Sequence, residues 1–247
     1  MFRTGVCSVS FRALSPEEVI NLTAQAGLEA IEWGSDVHAP YTDTERLEAI
    51  AKAQREAGIC CSSYGTYFKV GEHSADELRG YIAAAKILGT NMLRIWCGNK
   101  NYEDLTEDER ESIKAECKKC AKIAEECSAV LSIECHPNSF TNSIEGALDL
   151  MESVNSPSLR MYWQQNIKGS DEENYEYAEK IAKYATNIHV FYYEDGKKLR
   201  LNCGFEKWVK FLSYFEGDRT LLLEFMPDNN PEALKGEAET LMSILGK

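Results

Sequence analysis

Short apolar runs alternate with longer amphipathic stretches along the whole chain. The runs are rich in β-branched and aromatic residues, as buried strands are, whereas the stretches between them repeat apolar residues every three or four positions, as one face of a helix does. The pattern predicts strands at residues 5–9, 30–33, 59–63, 92–96, 130–134, 160–163, 188–191 and 220–225. Near-continuous apolar strands are typical of a parallel sheet that helices cover on both faces.

Helix signals fall between these strands. Ser15 is a suitable helix cap, because Pro16 and two glutamates follow it in what would be the first turn. Gly27 and Gly58 are placed to end the first two helices, since glycine readily adopts the left-handed conformation found there. Further helix starts are predicted at Ser74, Thr106, Ser143, Ser170, Gly204 and Pro231.

Eight strands, each followed by a helix, fit either an open doubly wound sheet or a closed (β/α)8 barrel. A doubly wound sheet that binds dinucleotides has a glycine-rich turn after its first strand. Residues 8–12, which follow the first predicted strand, contain no glycine. We therefore predict the α/β class and a (β/α)8 TIM barrel, formed as a single domain by residues 1–247.

The composition excludes some classes of partner. The chain has a formal net charge of −13, from 27 basic and 40 acidic residues, and such a surface repels nucleic acid and anionic membranes. No apolar run approaches the roughly 18 residues that a membrane-spanning helix needs. The nine cysteines, including Cys117 and Cys120 within a helical stretch, are expected to be reduced thiols of a cytoplasmic protein.

Four predicted strands end in a side chain that can bind a metal ion: Glu134, Gln164, His189 and Glu224. Active groups of a TIM barrel lie at the carboxyl ends of its strands, so these residues would meet at one mouth. Two carboxylates, an imidazole and an amide oxygen suit Mn²⁺, Mg²⁺ or Zn²⁺. The pattern thus predicts a divalent metal site, although a structural salt bridge is the alternative for each glutamate taken alone.

Other polar or aromatic residues fall at the same predicted mouth: Glu32, His38, Tyr64, Arg94, Trp96, His136 and Asn138. Arg94 lies in an apolar strand and needs an anionic partner, either near Glu134 or on a substrate carboxylate or phosphate. His136 is either a loop histidine bonded to the backbone or a general acid or base. Trp96 is either a wall of the pocket or part of the core.

At these residues the chain resembles the xylose-isomerase-like TIM-barrel superfamily of sugar phosphate isomerases and epimerases. Residues 134–138 are similar to that family's E-x-H-P-N motif of strand five, and His189 and Glu224 fall at its strand-seven histidine and strand-eight glutamate. The resemblance implies that Glu134, His189 and Glu224 are metal ligands. Gln164 stands where the family has an aspartate.

Within the superfamily, residues 33–38 and 134–142 look closest to 3-dehydroshikimate dehydratases. That likeness implies that Tyr64, Arg94 and His136 handle the substrate. Phe191 stands where the superfamily's strand-seven motif, H-x-K, has a lysine.

Our leading functional prediction is a metal-dependent isomerase or epimerase of carbohydrate metabolism that acts on a small sugar or sugar phosphate. Glu134 and Glu224 would move protons on opposite sides of the substrate through an enediolate, and His136 would carry protons to oxygen. The predicted substrate contacts are His38, Tyr64, Arg94, Trp96 and Asn138. A lyase similar to 3-dehydroshikimate dehydratase and a non-catalytic sugar-binding barrel are the alternatives, and assembly as a homo-oligomer is left open.

Overall fold

A computed structural model describes residues 1–194 and 196–246 of the chain. The strands are β1 (Phe2–Cys7), β2 (Ala30–Gly34), β3 (Cys60–Val70), β4 (Met92–Cys97), β5 (Val130–Glu134), β6 (Leu159–Trp163), β7 (Ala185–Val190), β8 (Tyr192–Glu194), β9 (Lys197–Leu199) and β10 (Arg219–Leu223). The α-helices are α1 (Pro16–Gln25), α2 (Thr44–Glu56), α3 (Leu78–Leu88), α4 (Glu107–Glu126), α5 (Ile144–Val154), α6 (Asp171–Ile181), α7 (Phe205–Leu212) and α8 (Leu234–Ile244).

Eight parallel strands of the described residues close into a barrel in the order β1-β10-β7-β6-β5-β4-β3-β2. This arrangement confirms the predicted (β/α)8 TIM barrel. The short strands β8 and β9 form an antiparallel hairpin outside the barrel, after β7. Strand β3 is longer than predicted, whereas β10 ends before Glu224, so that this glutamate lies in the loop after the strand.

Several residues predicted to begin or end helices do so in the structure. Ser15 caps α1 through a reciprocal pair of hydrogen bonds with Glu18, and Pro16 is the first helical residue. Gly27 and Gly58 both have a φ of +71°, the left-handed conformation predicted for them. Within the described residues, no helix has the length and apolar character needed to cross a membrane.

The main apolar core lies between the barrel and the helices around it. Outward-facing strand residues such as Leu131 and Ile133 are fully buried there, together with Trp163 and Trp208. Cys117 and Cys120 are buried in α4 as free thiols, as predicted. This packing fixes the positions of the strand ends, and the polar side chains at those ends form the site described next.

Candidate metal centre at the carboxyl end of the barrel

His189 lies at the centre of a polar cluster where the barrel strands end. Its Nδ1 atom is 3.3 Å from Oε1 of Gln164, 3.4 Å from Oε2 of Glu224 and 3.6 Å from Oε1 of Glu134. All four side chains are buried. The structure therefore brings together the four residues predicted as metal ligands, although they are widely spaced in the sequence.

The amide of Gln164 is oriented by the backbone of the neighbouring strand. Its Nε2 atom donates a 2.9 Å hydrogen bond to the carbonyl oxygen of Cys135. Because a carbonyl can only accept, the amide oxygen must be the atom that faces His189. Amide oxygens are ligands of hard divalent cations, so Gln164 presents a suitable atom where the resembling family has a carboxylate.

Glu32 lies on the other side of the His189 ring and is 1% exposed. Its Oε1 atom is 3.4 Å from Nε2 of His189, and its Oε2 atom accepts hydrogen bonds from the hydroxyls of Tyr162, at 2.5 Å, and Ser63, at 2.9 Å. The side-chain amide of Asn187 donates to the Tyr162 hydroxyl at 2.7 Å. Residues from β2, β3, β6 and β7 thus form one buried polar network.

Cys7 is a member of the cluster that the sequence analysis missed. It is the last residue of β1, and ligand atoms of Cys7, His189 and Glu224 all lie within 4.8 Å of one another. The signal was a polar residue that ends an apolar strand, the same pattern that pointed to Glu134.

The Arg94 guanidinium group has its anionic partners inside the protein. Its Nε atom is 3.3 Å from Oε2 of Glu134 and 3.7 Å from Oε1 of Glu32, and its Nη1 atom donates to the carbonyl oxygen of Thr66. Gly65 makes room for this arrangement, because a Cβ atom there would lie 2.8 Å from Oε1 of Glu32 and 3.2 Å from Nη2 of Arg94. The sequence left open whether Arg94 pairs with a carboxylate of the protein or with a substrate anion. In the structure it pairs with carboxylates of the protein.

Trp96 and His136 form part of the wall above Glu134. The Trp96 indole nitrogen donates a 2.6 Å hydrogen bond to Oε2 of Glu134, and the ring covers Arg94 at 4.8 Å. The His136 ring lies 5.4 Å from the Trp96 ring, and its Nδ1 atom is 2.7 Å from the carbonyl oxygen of Pro137. That bond makes Nδ1 the donor and leaves Nε2 as the basic nitrogen.

Two predicted substrate contacts, His38 and Tyr64, lie outside the central cluster, and their contact with substrate stays a prediction. Both side chains are fully buried. The His38 ring nitrogens lie 3.2 Å from the hydroxyl of Ser8 and 3.1 Å from the carbonyl oxygen of Leu14. The Tyr64 hydroxyl donates to the carbonyl oxygen of Ala39.

A register shift between β2 and β3 explains the position of Tyr64. Glu32 pairs with Ser63, and the shift occurs between Ile31 and Glu32. Ser63 therefore faces the barrel interior and Tyr64 faces the helices. The tyrosine of β3 nearest the mouth is Tyr67, whose ring packs edge-on against Trp96 at 5.2 Å.

Asn138 does not join the central cluster. It is exposed in the loop after β5, has a left-handed φ of +56°, and its backbone N–H donates to the side chain of Asn101. Its predicted contact with substrate stays a prediction.

Burial and neighbouring charges separate the pKa values of the clustered carboxyl groups. Burial raises the pKa of Glu134, but Arg94 and His189 outweigh it and lower the pKa to about 2. The pKa of Glu32 is also lowered to about 2, because His189 and Arg94 outweigh burial. Burial raises the pKa of Glu224 to about 7, and repulsion from Glu134 adds to this effect against the attraction of His189. For His189, burial lowers the pKa, yet the neighbouring carboxylates of Glu224 and Glu32 raise it well above its usual value.

The donor set of this cluster fits a divalent cation. Three buried carboxylates, those of Glu32, Glu134 and Glu224, share the cluster with one permanent cation, the Arg94 guanidinium, so they need further positive charge from a protonated His189 or from a bound ion. Among the residues that the structure describes, Oε2 of Glu224 and Oε1 of Glu32 are buried without a hydrogen-bond donor. A divalent cation would supply the missing charge and a partner for Glu224.

Comparisons with known proteins agree on one family. A family model described as xylose isomerase-like TIM barrel matches residues 20–241. A 3-dehydroshikimate dehydratase of Bacillus anthracis is 21% identical over 166 residues, and this match covers 64% of the present chain and 59% of the relative's length.

Solved structures with similar folds include different enzymes. The probable 3-DHS dehydratase AsbF of Bacillus anthracis, described as involved in petrobactin synthesis, has a TM-score of 0.82 at 18% identity, over 98% of this chain and 99% of its own. An L-ribulose 3-epimerase has a TM-score of 0.76 at 17% identity, over 99% and 94%. The IOLI protein with a binding zinc atom has a TM-score of 0.76 at 16% identity, over 98% of both chains. At such identities the likeness concerns the fold.

Proposed function

Because the chain belongs to the xylose isomerase-like TIM-barrel family, we propose that it is a metal-dependent enzyme that isomerises or epimerises a small sugar by proton transfer. The observation that carries this proposal is the approach of Glu134, Gln164 and Glu224 to one nitrogen of His189. These four residues would hold the ion, and their oxygen and nitrogen donors suit Mn²⁺, Mg²⁺ or Zn²⁺. When bound, such a cation polarises a carbonyl group and stabilises the negative charge that develops when the neighbouring carbon loses a proton.

Glu134 and Glu224 are the two carboxyl groups of the cluster whose surroundings separate their pKa values. The pKa of Glu134 is lowered to about 2 in the metal-free protein, so that this carboxylate is ionised at neutral pH. The pKa of Glu224 is raised to about 7 in the metal-free protein, so that this carboxyl group is partly protonated there. As a ligand of the ion it would be ionised. Paired carboxyl groups whose surroundings separate their pKa values are typical of acid–base catalysis.

The two carboxylates come from separate parts of the barrel, the end of β5 and the loop after β10. We infer that they address opposite faces of a bound substrate. One removes a proton from carbon and the other returns a proton to the opposite face, which inverts the configuration without a redox cofactor.

The charges at the mouth favour a neutral, unphosphorylated substrate. Arg94 is paired with Glu134, and Arg12 is paired with Asp36 at 2.7 Å. A substrate phosphate or carboxylate would have to compete with these carboxylates for the guanidinium groups. The aromatic side chains of Trp96 and Tyr67 instead offer flat surfaces of the kind that pack against a sugar ring.

A lyase that acts on a cyclic keto acid is the second candidate. The relative from Bacillus anthracis favours it, since that protein is described as a 3-dehydroshikimate dehydratase. His136 would then take the proton next to the ketone, because its Nε2 atom is the basic nitrogen. The pairing of Arg94 with Glu134 argues against it, because the substrate carboxylate would lose its obvious partner.

One set of incubations distinguishes these functions. The protein is supplied with Mn²⁺ in D2O and incubated with a panel of free ketopentoses and ketohexoses, and separately with 3-dehydroshikimate. We expect deuterium to enter the carbon next to the carbonyl of one ketose and a second stereoisomer to form, both followed by NMR, with no exchange by Glu134→Gln.

Ultraviolet absorbance of an aromatic product from 3-dehydroshikimate, without exchange into any ketose, would assign the lyase instead. A protein that takes up no divalent ion and turns over none of these compounds would refute the enzymatic proposal and favour a sugar-binding role.

A further inference from the structure

The buried network behind His189 has no part in the proton transfers proposed above. Nδ1 of His189 faces Glu134, Gln164 and Glu224, whereas Nε2 lies 3.4 Å from Oε1 of Glu32. Among the described residues, these two buried atoms form no hydrogen bond, so each is free to serve as the partner of the other. A histidine that binds a metal through one nitrogen carries its hydrogen on the other, and the partner of that hydrogen sets the direction of the ring.

We propose that Glu32 is a positioning residue that accepts the Nε2 hydrogen of His189 and thereby directs Nδ1 at the metal site. This inference rests on the proposed function, because it assigns a role to Glu32 toward the ion that His189 would bind. Glu32 itself would not touch the ion or the substrate.

Glu32 is held firmly enough to act in this way. Its second oxygen accepts hydrogen bonds from Tyr162 and Ser63, and Tyr162 is in turn held by Asn187. The carboxylate is therefore anchored from three strands other than its own, and it cannot rotate away without breaking two hydrogen bonds. Such support from a second layer of residues is what fixes the geometry of a metal ligand.

A purely structural role, as counter-ion of Arg94, fits the distances less well. Nε of Arg94 is closer to Glu134, at 3.3 Å, than to Glu32, at 3.7 Å. A buried ion pair also adds little net stability compared with apolar residues of the same volume. The short bonds from Tyr162 and Ser63 aim Oε1 of Glu32 at both His189 and Arg94. The affinities of the variants are therefore combined with an NMR measurement that reports on His189 alone.

The test measures metal affinity and identifies the ring nitrogen of His189 that binds the ion. It does not depend on turnover. Mn²⁺ affinity is determined by electron paramagnetic resonance for wild type, Glu32→Ala and Glu32→Gln. We expect Glu32→Ala to bind Mn²⁺ about 10- to 100-fold more weakly, as is typical when the partner of a ligating histidine is lost. The affinity of Glu32→Gln should lie between those of wild type and Glu32→Ala, because its amide oxygen can still accept the Nε2 hydrogen but has no charge.

Glu237→Gln is the matched control. Glu237 is a buried glutamate of α8 whose carboxylate accepts a 2.8 Å hydrogen bond from the backbone of Leu201. Its substitution should change stability without changing Mn²⁺ affinity.

A second measurement identifies the ring nitrogen of His189 that binds the ion. ¹⁵N NMR of the Zn²⁺-loaded wild-type protein should show His189 bound through Nδ1 with its hydrogen on Nε2.

Several results would overturn the inference. Wild-type affinity in Glu32→Ala, or a Zn²⁺-loaded His189 that binds through Nε2, would refute the role of Glu32 and leave the proposed function standing. A wild-type protein that takes up neither Mn²⁺ nor Zn²⁺ would refute both. If Glu32→Ala does not fold, Tyr162→Phe replaces it: a loss of a few fold in affinity supports the role, and unchanged affinity refutes it.

Discussion

The indole nitrogen of Trp96 donates a 2.6 Å hydrogen bond to Oε2 of Glu134, while Oε1 of the same carboxylate faces His189. A hydrogen bond to a charged group is worth about 1.5–3 kcal/mol. Trp96→Phe keeps an aromatic ring over Arg94 but removes this bond. We expect Mn²⁺ affinity to fall about tenfold or more, measured by titration, with an unchanged circular dichroism spectrum. Affinity equal to that of the wild type would show that the bond does not position Glu134.

Glu134→Gln removes the proposed base while it keeps an oxygen that can accept from Trp96. A general base contributes about 10²- to 10⁴-fold to a rate. We expect turnover of the identified ketose to fall by about that factor, and the thermal transition to stay close to that of the wild type. Unchanged turnover on a substrate that the wild type converts would refute the role of Glu134.

The raised pKa of Glu224 predicts opposite pH dependences for stability and metal binding. The pKa rises from the usual 4.5 to about 7 in the metal-free folded protein. Between these values the folded state binds more protons than the unfolded state, so the contribution of Glu224 to the free energy of unfolding falls as the pH rises. Metal ligation requires the deprotonated carboxylate, so Mn²⁺ affinity should rise through the same window.

Thermal melts and Mn²⁺ titrations from pH 5 to pH 7.5 check this prediction, with Glu224→Gln as the reference. The pKa of His189 is also raised, and its stabilising contribution is likewise lost as the pH rises. The melting temperature of the metal-free wild type should therefore fall relative to Glu224→Gln. An increase relative to that variant would contradict the direction of the Glu224 shift.

Tyr67 and Tyr64 provide a matched pair of substitutions. The Tyr67 hydroxyl accepts from Arg12 and donates to Asp36 near the mouth, whereas the Tyr64 hydroxyl is bonded to Ala39 in the core. We expect Tyr67→Phe to raise KM a few fold with little change in stability. Tyr64→Phe should lower the free energy of unfolding by about 1–3 kcal/mol and leave KM unchanged, because it leaves a buried carbonyl without its donor. The reverse pattern in kinetics and melts would support Tyr64 rather than Tyr67 as the substrate contact.

The sequence was sufficient to predict the barrel and the meeting of the four central residues. In a closed parallel barrel every strand presents its carboxyl end to the same rim. A residue such as His189 or Glu224 can therefore be placed from its position at the end of an apolar run alone. No knowledge of contacts across the barrel is needed for that step.

Contacts that depend on register or on close approach could not be predicted in this way. No residue pattern indicates the register shift between Ile31 and Glu32. That shift directs Ser63 into the barrel and Tyr64 toward the helices. The choice of Glu134 and Glu32 as partners of Arg94 likewise depends on how neighbouring strands pack. Cys7 had the right position, but a cysteine at a strand end is most often a packed thiol.

Gly65 shows that the vulnerability of such a centre extends to a position that has no functional group. Even alanine there would push its methyl group against the Glu32 carboxylate at 2.8 Å and the Arg94 guanidinium at 3.2 Å. The two charged groups would have to move apart, and Glu134 and His189 would lose their alignment with them. A survey of variants confined to polar side chains would overlook this residue, although a single added carbon atom is enough to disturb the entire arrangement.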